Sequence, residues 1–107
     1  MALASVVLSN ITNPLFTSVG THAITVIYIC NSGSVAVPFN IYAVPNGSVP
    51  GGNNIIYSSV PLTVNDTYVI DTEKLILNNG DSIHANLAVP AMTTTTRVVA
   101  TISTIEV

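Results

Sequence analysis

Residues 21–43 read THAITVIYICNSGSVAVPFNIYA, and this stretch decides the fold. Its first ten residues are β-branched or aromatic apart from Ala23, His22 and Cys30, and they carry no charge. Such side chains suit a pleated surface, whereas the strong helix formers Glu, Lys, Gln and Arg are missing from the stretch. A run apolar on both faces predicts a central strand covered on both sides. Asn31-Ser32-Gly33 then predicts a tight turn. Beyond it, Val35, Val37, Phe39 and Ile41 alternate with Ala36, Pro38 and Asn40, a second strand at period two. Pro38 has no N–H for a ladder, which predicts an edge position or a bulge there.

The same pattern extends outward in both directions. Short apolar or alternating runs separated by turn residues predict strands near 3–9, 21–30, 34–43, 54–60, 66–71, 73–78, 82–89 and 97–106. Residues 45–54, PNGSVPGGNN, form the longest loop. Asn79-Gly80 predicts a type I′ hairpin turn between Leu75–Leu77 and the strand beginning at Ser82. Thr93–Thr96 reads as a loop into the last strand. There Val98, Ala100 and Ile102 share one face and Val99, Thr101, Ser103 and Ile105 the other. About eight strands without a helix predict a single antiparallel β-sandwich, jelly-roll or immunoglobulin-like.

Composition sharpens this reading. Of 107 residues, Val, Ile and Thr supply 40, and Trp and Gln are absent. Only seven side chains are formally charged, 7% against about 25% in ordinary domains. All seven fall at or after Asp66: Asp66, Asp71, Glu73, Lys74, Asp81, Arg97 and Glu106. Two cations cannot track a phosphate backbone, so nucleic acid is not an expected partner. The same shortage argues against a basic amphipathic membrane helix, and no apolar run is long enough for a spanning one. With 49% apolar residues the chain is not of the disordered class. Cys30, the single cysteine, reads as a buried inert thiol. MALASVVLSN lacks the Lys or Arg of a secretory n-region, so synthesis in a reducing cytoplasm is expected. The sequons at Asn10, Asn46 and Asn65 then follow from an Asn- and Thr-rich composition.

Chemistry is sparse. His22 and His84 are the only candidate bases, and neither lies in a recognisable nucleophile motif. Asp66, Asp71, Glu73 and Asp81 could offer oxygens to Ca²⁺, but they match no loop motif and read as solvated carboxylates. Gly51-Gly52 lacks the Lys and following helix of a phosphate cradle. Tyr28, Tyr42, Tyr57 and Tyr68 could stack on sugars, although each sits within a β pattern. The expectation is a protein without catalytic, cofactor-binding or metal-binding residues.

The order of segments carries a resemblance. ITVIYICNSGSVAVPFNIYAVPNGS leads to a Gly- and Asn-rich loop. NNIIYSSVPLTVNDTYVID, the hairpin KLILNNGDSIHANL and a closing RVVATISTIEV follow. This layout resembles small virion structural proteins of tailed bacteriophages, where a strand ending in CN-[ST]-x precedes VP-x-G, VPL-x-x-ND-T and L-x-L-x-x-GD-x-I segments. The match spans roughly residues 21–107, and residues 1–20 would form an N-terminal arm or an added strand. The resemblance implies a non-enzymatic capsid decoration (cement) protein, or a tail, baseplate or fibre part that contacts host sugars. It implies a homo-oligomer, a trimer first of all, located in the virion and bound to the major capsid protein or to tail proteins. Self-association agrees with the composition, because strands over 3–60 offer neutral edges with few blunting residues. On that ground the 1–65 half is the expected contact region.

Overall fold

The computed structural model describes residues 2–70, 75–89 and 95–106. The β-branched runs form nine strands: β1 (Ala2–Val7), β2 (Asn13–Thr17), β3 (His22–Asn31), β4 (Val37–Val44), β5 (Ile55–Leu62), β6 (Thr67–Ile70), β7 (Leu75–Leu77), β8 (Ser82–Leu87) and β9 (Val98–Glu106). The first sheet runs β1-β9-β3-β6, with β7 also on β3, and the second runs β2-β8-β4-β5. Every pair is antiparallel.

This order is that of one long hairpin rolled up. β6 and β7 lie end to end along β3, opposite Ile27–Cys30 and His22–Ile24, and count as one interrupted strand. First then pairs with last (β1 with β9), second with second-last (β2 with β8), and so inward to β4 with β5. The result is a jelly-roll sandwich, not the immunoglobulin arrangement. Its core interleaves Ile24, Ile27 and Ile29 of β3 and Val98, Ala100 and Ile102 of β9 with Phe39 and Ile41 of β4 and Ile83, Ala85 and Leu87 of β8. The expected alternation along β9 is observed from Val98 to Ile102, after which Ser103 and Thr104 are both buried.

Two sequence expectations are corrected. Within residues 1–20, expected as an arm or an added strand, β2 forms an edge strand, where a register shift between Pro14 and Phe16 tolerates the proline. β4 is internal, between β8 and β5, so Pro38 is not at an edge. The Pro38 carbonyl accepts from the Ala88 N–H, which turns the proline nitrogen toward the same side, where β8 has already ended at Leu87. On the other side Pro38 faces Pro61, and the bulge lies just beyond, at Phe39/Ile41. Asn79-Gly80 does not make a type I′ hairpin. Gly80 has φ +90° while Asn79 is not left-handed, and the Asp81 N–H donates to the Asn78 carbonyl, a type II turn. This turn links β7 in one sheet to β8 in the other, so KLILNNGDSIHANL is a crossover. A Cβ on Gly80 would also strike the Asn46 side chain.

One core position is imperfect. Thr104 is 1% exposed on the inner side of β9, and its Oγ1 has no hydrogen-bond partner. Thr104→Val keeps the branched shape and removes an unpaired buried hydroxyl. We expect it to stabilise the fold by about 1 kcal/mol. For a domain of this size that is a melting temperature higher by roughly 4–8 °C in calorimetry. An unchanged or lower value would mean that Oγ1 is satisfied in solution.

Candidate functional site

The register assigns a face to every residue of the first sheet. Four rows of side chains point away from the core: Leu3, Ser103 and Val26; Ser5, Thr101, Tyr28 and Val69; Val7, Val99, Cys30 and Thr67; Ile105, Ala23 and Ile76. Of these fourteen residues ten are apolar or aromatic, four are Ser or Thr, and none is charged. Leu3 is 72% exposed, Ile76 59% and Val7 57%, with Tyr28 and Val69 also exposed. Scattered exposed apolar residues are ordinary, but a contiguous face of them marks an interaction surface.

The strand predicted to be covered on both sides is therefore covered on one. The inner side of β3 meets the core, while Val26, Tyr28 and Cys30 face outward. Cys30 is half-buried on that outer face and free, not enclosed as the sequence predicts. The charged side chains among the described residues, Asp66, Asp81, Arg97 and Glu106, stand in turns or at a strand end. The face draws on β6, β7 and β9 as well as β1 and β3, so it is not confined to residues 1–65.

The second sheet treats its outer side differently. Asn40 Nδ2 donates to Asn86 Oδ1 at 3.0 Å, and the Tyr42 hydroxyl donates to the same oxygen at 3.2 Å. The Ser59 N–H donates to Asn40 Oδ1 at 2.7 Å. Here polar groups satisfy one another across strands.

Among the described residues the candidate chemical side chains stand apart from one another. His22 Nδ1 lies 3.0 Å from Ser18 Oγ, and the Phe16 ring packs edge-on against the imidazole at 5.1 Å. The Ser18 hydroxyl also lies 2.8 Å from the Gly20 carbonyl and 3.4 Å from the Leu77 carbonyl, so backbone acceptors compete with the imidazole for its proton. Ser18 is buried as well. His84 Nδ1 lies 3.3 Å from Ser82 Oγ. Among the described residues neither imidazole bonds to a carboxylate, and no three His, Cys, Asp or Glu side chains converge. Asp81 accepts from the Asn46 and Asn78 backbone N–H groups, both at 2.9 Å, and Asp66 from the Thr67 N–H. Both carboxylates act as turn locks. Asp71 and Glu73 lie outside the described residues.

Burial holds the His84 imidazole below its ordinary pKa near 6.5. The folded chain thus resists protonation that the unfolded chain accepts. The contribution to stability is complete above about pH 6.5 and is lost as pH falls toward the lower folded value. In urea titrations on either side of that pH, His84→Gln is expected to flatten this part of the profile; an unchanged slope would assign it to other groups.

The tyrosines divide. Tyr42 is buried, Tyr28 is exposed on the apolar face, and Tyr68 packs edge-to-face between Phe39 at 5.5 Å and Tyr57 at 6.3 Å. Beside Tyr57, a cleft of about 220 Å³ opens between the sheets, lined by Ile24, Ile27, Ile56, Ile70 and Leu75. No protein-family model, curated protein or solved structure matches the chain.

Proposed function

We propose that the chain is a non-enzymatic structural protein of a tailed-bacteriophage virion, a capsid decoration protein that self-associates and binds the shell. The observation that carries this reading is the outer face of the first sheet, which bears no charge among the described residues. In water it leaves apolar area exposed; against another neutral surface it is buried with no charge to desolvate. The hydrogen-bonded outer side of the second sheet suits the solvent-facing side of the same particle. The fold agrees by analogy only, since jelly rolls recur in viral capsids but also in lectins and cupins.

A tail or fibre role that contacts host sugars is the second reading. It is favoured by Tyr57, which lines the cleft and packs against the partly exposed Tyr68 ring, because sugars stack on aromatic faces. A glycan array reads it directly, and binding lost in Tyr68→Ala would support it.

Shell binding is tested by mixing the protein with expanded phage shells that lack it and sedimenting the particles. Saturable co-sedimentation at a fixed copy number is the expected result. Absence of binding across the shells of tailed phages that infect the source host would overturn the decoration reading.

A further inference from the structure

The sandwich has four sheet edges, and three of them are blunted. β5 carries Pro61, and Ser59 in the left-handed region at φ 50°. β2 carries Pro14 and a register shift. Along the edge that pairs with β3, Ile70 stands opposite Ile27 and Leu75 opposite Ile24, so the register shifts between β6 of four residues and β7 of three. These are the devices by which β proteins keep edges from pairing. β1 has none of them: it is six residues, ALASVV, in unbroken register with β9, without charge or proline.

The hydrogen-bond parity of β1 is also defined. The Leu8 N–H donates to the Val98 carbonyl, so residues 4, 6 and 8 address β9. The backbone groups of Leu3, Ser5 and Val7 then point to the open edge. The side chains of these three residues lie on the apolar outer face.

We infer that β1 pairs antiparallel with the β1 of a second copy across a two-fold axis. A two-fold interface must be self-complementary, and this edge is. Centred on Ser5, it sets Leu3 against the partner's Val7 and Ser5 against the partner's Ser5. Each such pair can exchange two N–H···O bonds, and no like charges meet. Area points the same way. Four strands about 4.8 Å apart and six residues about 3.3 Å long span roughly 400 Å² in projection, half of the ~800 Å² per partner of a standard interface. Two copies joined at β1 merge their outer faces into one neutral platform near that size. A three-fold ring closed edge to edge would instead require β1 to pair with a blunted edge, so the geometry favours a dimer over the trimer predicted from sequence. The inference rests on the self-association part of the proposal above and is independent of the shell.

Light scattering of the purified chain at micromolar concentration is expected to give twice the chain mass. Ser5→Pro removes an edge-facing N–H and the 3.0 Å bond between the Ser5 and Thr101 hydroxyls, and leaves the backbone ladder to β9 intact. It is expected to weaken the dimer by at least about tenfold, since both bonds of the central pair are lost. Should Ser5→Pro not fold, a second arm decides. Ser5→Cys in a Cys30→Ser background is expected to link to itself with a short bis-thiol reagent, whereas Ser58→Cys on β5 is not. A monomer, or an oligomer that survives Ser5→Pro and does not link through position 5, overturns the inference. A monomer that still co-sediments with shells removes the β1 pairing alone and leaves the decoration reading standing.

Discussion

Asn31→Ala is expected to be among the most destabilising single substitutions in this chain, at about 3 kcal/mol or more. Asn31 ends β3 with no exposed surface. Its Nδ2 donates to the Val35 carbonyl at 2.9 Å and the Leu62 carbonyl at 3.3 Å, and its Oδ1 accepts from the Gly33 N–H at 3.0 Å. Its backbone is equally engaged, donating to the Asp66 carbonyl and accepting from the Asn65 N–H. One side chain thus ties the 31–36 turn to the end of β5. Alanine takes the amide from the Val35 and Leu62 carbonyls and leaves a void beside them, at about 1–3 kcal/mol for each group that water cannot reach, while the Gly33 N–H keeps the Arg97 carbonyl. Val35 is partly exposed, so its carbonyl counts at the low end. Against a total stability of about 5–15 kcal/mol the loss is large. The turn it holds is tight. The Ser32 and Gly33 N–H groups both donate to the Arg97 carbonyl, and a Cβ on Gly33 would strike the Thr95 and Arg97 backbone. Urea unfolding at constant m-value measures the effect; a loss below about 1 kcal/mol would show that water replaces the amide.

Tyr28→Lys is expected to do the opposite: little to the fold and much to assembly. Tyr28 stands mid-strand on the outer face of β3, opposite Thr101 and Val69, and is 42% exposed. In the free chain a lysine stem can lie along the sheet with its ammonium in water. Against a neutral partner the ammonium is buried without a counter-charge, which costs several kcal/mol. Shell binding is expected to fall by at least about a hundredfold. Thr17→Lys, exposed on the outer side of the second sheet, is the matched control and is expected to bind as the parent does. Equal loss in both variants would point to net charge, not to the face.

Much of the fold is legible in local chemistry. The alternation along β9 and the apolar run of β3 need no tertiary context, because period two and β-branching report directly on a pleated core. Asn79-Gly80 misleads, and Pro38 gives the bulge but not the edge, for one shared reason. Each gives a local rule whose outcome depends on which strand lies alongside, and that is set by the rolled topology. The candidate face is legible only in part. The shortage of charge is visible in the sequence, but it is concentrated by pairing. Leu3, Tyr28, Val69, Ile76 and Val99 lie far apart in the chain and meet only once β1, β3, β6, β7 and β9 take their places. The missing charge points to residues 1–65 because charge is a property of segments, whereas an interface is a property of a sheet. The one local signal was β3 itself, a strand apolar on both sides with a core to cover only one of them.

The central claim is that the outer face of the first sheet is the buried side of an assembled subunit. A density map of the decorated particle at side-chain resolution tests it most directly. The expected map has Leu3, Val26, Tyr28, Val69 and Ile76 packed against a neighbouring chain, with the Asn40–Asn86–Tyr42 ladder toward solvent. A map in which those five side chains face solvent while the ladder meets the shell would contradict it.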